Sequence, residues 1–232
     1  MPTIVALSLL SGLMAVDHRV GWQGLLAQPV FAGVFVGLLT GEPETAIAVG
    51  VLLELIYLSI LPMRGARIPD QIAGAIVGCG TAALLIQNPG EPLFVFVVAI
   101  GVFVGLLAGE LGARLTAPLL GIHNRILSSI EFSPETERTS LTRRVFWLHT
   151  GSATYVFAVE TVSVLILLSA GYFAGARLTR LTGGALVEGA EYWSYLVPAV
   201  GAASLIHLFW QHHLRRLLIV CAAVVFILLW LI

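Results

Sequence analysis

Apolar residues gather in a series of runs: roughly Thr3–Val16, Leu25–Leu39, Ala46–Leu61, Ile72–Ile86, Leu93–Ala108, Val145–Ala176, Leu196–Trp210 and Leu217–Ile232. A helix that crosses a bilayer needs about 20 residues. Only Val145–Ala176 is comfortably longer than that, and glycine or proline interrupts or bounds most of the others. Short, broken apolar segments predict re-entrant hairpins and discontinuous helices. Non-helical backbone survives at membrane depth only when it is buried in protein or lines a cavity. The pattern therefore predicts an all-α polytopic membrane protein of the transporter kind. It has short or broken transmembrane helices and re-entrant hairpins, built as a single integral membrane domain over 1–232.

The polar interruptions sharpen this picture. Glu54 sits inside the run Ala46–Leu61, within the stretch GEPETAIAVGVLLELIYLSILPMRGARIPD from Gly41 to Asp70. An ionisable group at membrane depth costs about 2.5–3.5 kcal/mol on insertion scales and persists mostly along a polar path or beside a partner. The run stops at Pro62, and Arg64, Gly65-Ala66, Arg67 and Pro69-Asp70 follow as a charged turn. One long polar stretch, Ser128–Arg144, precedes the longest apolar run. Four arginines from Arg125 to Arg144 face Arg177 and Arg180 across that run, which predicts a cytoplasmic loop at 128–144 by the positive-inside rule. Tyr192, Trp193 and Tyr195 read as an interfacial aromatic belt.

An internal echo is also present. Gly33–Glu42 is GVFVGLLTGE and Gly101–Glu110 is GVFVGLLAGE, differing at one position in ten. Glycines every fourth residue let helices approach closely. The echo reads either as recurring helix-packing sequence or as a structural repeat of the kind transporters contain.

Composition agrees with the pattern: 58% of residues are hydrophobic and 11% charged, against about 25% charged in soluble domains. The net charge of −1 offers no clustered basic face for nucleic acid. Every basic residue is arginine, which reads as base-composition bias. Cys79 and Cys221 lie in apolar runs, with neither disulfide framework nor motif, and read as packing residues. The first charge is Asp17, so Met1–Val16 lacks the basic start of a signal peptide and is expected in the mature protein. Motifs such as HExxH or GxSxG are absent, which argues against an intramembrane enzyme.

The residues Gln28-Pro29, Gly37, Gly41-Glu42, Thr45, Gly50, Leu53-Glu54-Leu55-Ile56, Gly65-Ala66 and Pro69-Asp70 resemble the membrane subunit IIC of the mannose/sorbose-type sugar phosphotransferase system (PTS). Trp147-Leu148-His149 and Leu196–Ser204 extend the likeness over most of the chain. The resemblance implies a permease subunit, not an enzyme, moving a hexose or amino sugar by alternating access. It implies a IID membrane partner, cytoplasmic IIA and IIB subunits that phosphorylate the sugar, and a homo-oligomer of IIC–IID units. It also implies a multi-pass location among the lipids of the bacterial cytoplasmic (inner) membrane and no cofactor. Several positions depart from the family pattern: Glu42 where aspartate is commoner, Ser59 where glycine is common, Pro62, the Arg64/Arg67 pair, and an end one hydrophobic segment early. These departures motivate the alternative of a transport-deficient regulatory or docking component of a reduced phosphotransferase chain.

The candidate substrate-binding residues are Glu54, Asp70, Glu42, Gln28 and His149. One carboxylate can accept from two neighbouring sugar hydroxyls, and charge-assisted bonds are about twice as strong as neutral ones. For Glu54 the competing role is an ion pair with Arg64 or Arg67. For Asp70 it is the N-cap of a helix beginning at Gln71. Glu42 and Glu44 flank Pro43 at a helix start, where acidic residues are favourable in any case. Glu160, eleven residues after His149 and on its face of one helix, is expected to be an interhelix partner, with IID as one candidate. His207, His212 and His213 lack the i, i+4 spacing of a helical metal pair, so no metal site is expected.

Overall fold

The computed structural model describes residues 1–21, 24–58, 68–87, 94–128 and 138–182, with the single positions Ala199 and Ala203. Outside these lie Pro62, Arg64, Gly65-Ala66, Arg67, the aromatic trio at 192–195, His207, His212, His213, Cys221 and, apart from Ala199 and Ala203, the last two apolar runs. The described regular elements are all helical: α1 (Pro2–Arg19), a 3₁₀ turn (Leu25–Ala27), α2 (Pro29–Thr40), α3 (Pro43–Leu58), α4 (Gln71–Ile86), α5 (Phe94–Ser128) and α6 (Arg138–Thr182).

Local chemistry explains most of the boundaries. A residue followed by proline is disfavoured in the helical region, and Gln28 is accordingly extended (φ −72°, ψ 138°), with Pro29 opening α2. The helix ends at Gly41, which takes φ +79°. The amides of Gly41 and Glu42 both return to the Gly37 carbonyl, at 2.9 and 3.1 Å. Pro43 then opens α3, so α2 and α3 form a tight hairpin. Asp70 caps α4 by accepting from the Ala73 amide at 3.2 Å, as its place after Pro69 predicts.

At a rise of about 1.5 Å per residue, α2 is about 18 Å long and α3 and α4 about 24 Å, each short of a hydrocarbon core of about 30 Å. Among the described residues, α5 over Phe94–Pro118 and α6 over Val145–Leu181 are long and apolar enough to cross a membrane. Both helices outrun the apolar runs that announced them. α5 continues past Ala108, where its polar face is exposed and Glu110 pairs with Arg114 at 3.1 Å. α6 begins at Arg138, so the second part of the expected loop 128–144 is helix, and Ser128 ends α5. Residues 129–137 lie outside the described set. Hydropathy marks where a helix meets apolar surroundings, and nothing in a polar side chain stops it before or after.

The core is the α4 helix, which touches α1, α2, α3, α5 and α6 and buries nearly its whole surface. Its glycines make that possible. A Cβ at Gly78 would lie 2.7 Å from the Gly101 carbonyl oxygen of α5, and one at Gly101 would lie 2.9 Å from the Gly78 carbonyl oxygen. The two echo segments therefore do the same job in two places. Gly33 and Gly37 seat α2 on α3, while Gly101, Gly105 and Gly109 seat α5 on α4. Cys79 is buried on α4 and makes no disulfide, in keeping with a packing role.

Candidate functional site

Several helix ends meet at one level of the bundle. There the C-terminus of α1 and the N-termini of α2 and α4 come beside the last turns of α3 and the interiors of α5 and α6. A helix N-terminus carries unsatisfied amides and the positive end of its dipole. Carboxylates collect where such ends are buried, and two do so here.

The first is Glu54. At the start of α2, Pro29 has no amide and the Gln28 side chain makes no capping bond. Val30 supplies the first free N–H, and it donates to Oε2 of Glu54 across the α2–α3 hairpin at 3.4 Å. Glu54 thus caps a helix other than its own. It is half-buried, the bond is long, and Oε1 takes no further hydrogen bond among the described residues. A carboxylate held this loosely beside an amide-rich helix end can still accept from a hydroxylated ligand. Gln28, also half-buried, sits at that same helix start.

The second is Asp70. Its Oδ1 caps α4 and its Oδ2 accepts from Nη2 of Arg19, the last residue of α1. Nη1 of the same guanidinium donates to Oε2 of Glu160 at 3.2 Å, and the Ser11 hydroxyl donates to Oε1 of Glu160 at 3.2 Å. The Asp70 and Glu160 side chains are only 2% and 1% exposed, and Arg19 23%. Side chains on a helix lean toward its N-terminus, which lets Arg19 reach back to the level of Ser11. Two opposite charges 4 Å apart gain about 4 kcal/mol at an effective dielectric of 20. Removing each ion from water costs several kcal/mol. The network therefore adds little net stability, but it strongly resists loss of one member.

Tyr57, one turn beyond Glu54 on α3, connects the two clusters. It is 3% exposed, its hydroxyl donates to the Gly105 carbonyl at 3.4 Å, and its ring tip fills the space left by Gly74 and Gly109. The Gly109 carbonyl accepts from the Asp70 amide at 2.8 Å.

The structure brings Gln28 and Glu54 together and commits both oxygens of Asp70 to the protein. It separates the other two candidates. Glu42 lies in the α2–α3 turn at the opposite end of α3, near the Thr40 carbonyl that accepts from Gln87 at 2.6 Å. His149 is exposed on α6, about 16 Å from Glu160 along the helix by its rise. Glu160 is an interhelix partner as expected, and its partners among the described residues are Ser11 and Arg19 of its own chain. In the sequence Arg19 carries no local mark of this role, since Asp17-His18-Arg19 reads as the polar end of an apolar run. The signal that could have marked it is the excess of intramembrane carboxylates seeking a cation.

Comparison with known proteins follows the same line. The family described as PTS system sorbose-specific IIC component matches residues 1–230. A curated protein of Escherichia coli (strain K12), named provisionally as N-acetylgalactosamine permease IIC component 2, is 38% identical over 77 residues. That alignment spans 33% of this chain and 53% of the relative, so the two correspond over about half of the relative's length. A solved structure titled "Structure of membrane protein" superposes with a TM-score of 0.65 at 16% identity, covering 96% of this chain and 87% of the other. That likeness is one of fold.

Proposed function

Because the chain belongs to the PTS sorbose-specific IIC family, and is thereby a subunit of a PTS sugar transporter, we propose that it forms the sugar path itself. In this reading it translocates a hexose or amino sugar by alternating access, with Glu54 as the main sugar acceptor and Gln28 beside it. The observation that carries it is the half-buried Glu54 carboxylate, which among the described residues is held by one long bond at the buried N-terminus of α2. Discontinuous helices whose ends meet at a polar centre are how transporters build sites within a membrane.

Asp70 serves the scaffold, since its cap and its ion pair use both oxygens. A IID-type membrane subunit completes the carrier, and cytoplasmic IIA and IIB relay phosphate to the emerging sugar. The complex sits as a multi-pass assembly in the bacterial inner membrane. The name of the E. coli relative places N-acetylated amino sugars first among those to try.

The test is sugar uptake with phosphorylation in vesicles holding this chain, its IID partner and charged IIA and IIB. Labelled hexoses and amino sugars form the panel, with Glu54→Gln as the comparison. Uptake by the wild type that is lost in an assembled Glu54→Gln complex supports the reading. Absence of uptake of every sugar by an intact complex refutes it.

A further inference from the structure

We infer that Arg19 is a positioning residue for the sugar path: by holding Asp70 and Glu160 at once, it fixes the wall of α4 and α5 against which the Glu54 helix is seated. The inference rests on the transport reading above and concerns a residue that never meets the sugar.

The argument starts from what the network is poor at. A buried ion pair is a weak source of stability, since apolar residues of similar volume often do as well or better. It is a good source of register, because hydrogen-bonded charges accept only a narrow geometry. Here one guanidinium joins three helices: α1 through its own backbone, α4 through Asp70, and α6 through Glu160. Its position sets where α4 begins, because the Asp70 carboxylate it holds is also the cap on Ala73.

From Asp70 the contacts run toward Glu54. The Asp70 amide donates to the Gly109 carbonyl and so fixes α5 against the first turn of α4. Gly74, Gly105 and Gly109 then leave a slot between those two helices, and Tyr57 fills it with its hydroxyl on the Gly105 carbonyl. Tyr57 is three residues from Glu54 on one rigid helix. A shift of the α4 start therefore moves the slot, the slot moves α3, and α3 moves the Glu54 carboxylate relative to the Val30 amide of α2. Weakening one hydrogen bond to a charged group costs about tenfold in affinity.

Two substitutions separate positioning from plain structure. Arg19→Lys keeps the charge but loses the fork that reaches two carboxylates together. Arg19→Met with Glu160→Gln removes one positive and one negative charge, leaves the cluster's net charge unchanged, and leaves Asp70 on its cap. Each is assembled with IID, IIA and IIB in vesicles, and uptake is measured against sugar concentration beside wild type and Glu54→Gln. The expected result is normal assembly with KM raised roughly tenfold and a smaller change in maximal rate. Tyr57→Ala should raise KM in the same way, and its effect should be less than additive with Arg19→Lys.

An unchanged KM in assembled Arg19→Lys overturns the inference, and so does failure of Arg19→Lys to assemble, which assigns the residue to folding alone. If the double variant does not assemble, Arg19→Lys decides. Transport by wild type, none by Glu54→Gln and wild-type KM in Arg19→Lys would sink this inference alone. No transport by wild type would sink the reading beneath it as well.

Discussion

Placing a single methyl group on the α4–α5 seam measures how close the two helices must be. An ideal Cβ at Gly105 would lie 2.8 Å from the Gly74 carbonyl oxygen, 2.9 Å from Cδ1 of Leu53 and 3.2 Å from Cα of Gly78. Side-chain carbons do not come that near to backbone atoms, and only the Leu53 methyl can swing aside. Gly105→Ala therefore forces the helices apart by several tenths of an ångström, along a seam whose other contacts are also glycines. Gly151 on α6 is the matched control, since nothing lies within 4 Å of its Cβ direction. Both substitutions gain helix propensity of about 1 kcal/mol. Only Gly105→Ala also incurs an overpacking cost of about 1–3 kcal/mol, so a gap of about that size should separate the two. Unfolding of the purified chain in mild detergent, followed by circular dichroism during titration with a denaturing detergent, reads it out. Gly151→Ala should match or exceed wild type, and Gly105→Val should fall below Gly105→Ala. Equal midpoints for Gly105→Ala and Gly151→Ala would show that the seam is not as tight as described.

The remaining predictions concern charge. Arg19→Met alone strands two buried carboxylates and should cost about 3–5 kcal/mol in the same unfolding assay. Adding Glu160→Gln should restore part of that loss, and a double variant less stable than the single would contradict the network described here. Leu107 is half exposed on the apolar face of α5. If that face meets lipid, Leu107→Asp should cost about 2.5–3.5 kcal/mol of insertion, read as reduced yield in the membrane fraction. Glu110→Gln should alter little, because its partner Arg114 is an exposed neighbour one turn away and such pairs are worth about 0.3–0.5 kcal/mol.

The two near-identical decapeptides show how far sequence carries and where it stops. In the first copy Gly41 ends α2 with positive φ, and in the second Gly109 lies inside α5. The difference is local, since Pro43 follows the first copy and opens a new helix whereas Leu111-Gly112 continues the second. Pro29, Gly41, Pro43 and Asp70 are likewise boundary signals that any reader of the chain can find, because capping and φ restriction act over one to four residues. The all-helical class and the shortness of α2, α3 and α4 follow from the same local patterns.

The roles of the carboxylates do not follow from them. Glu54, Glu110 and Glu160 each sit among mostly apolar neighbours in the sequence. Yet Glu54 caps a neighbouring helix, Glu110 faces outward beside Arg114, and Glu160 is locked to Ser11 and Arg19. The sequence alone determined the helical class, the boundaries set by Pro29, Gly41, Pro43 and Asp70, and that some carboxylates had to find partners inside. Only the tertiary structure decided which partners, because Arg19 and Glu160 lie 141 residues apart. Their meeting depends on how α1 and α6 are rotated and stacked around α4, which glycine contacts set and no local periodicity encodes.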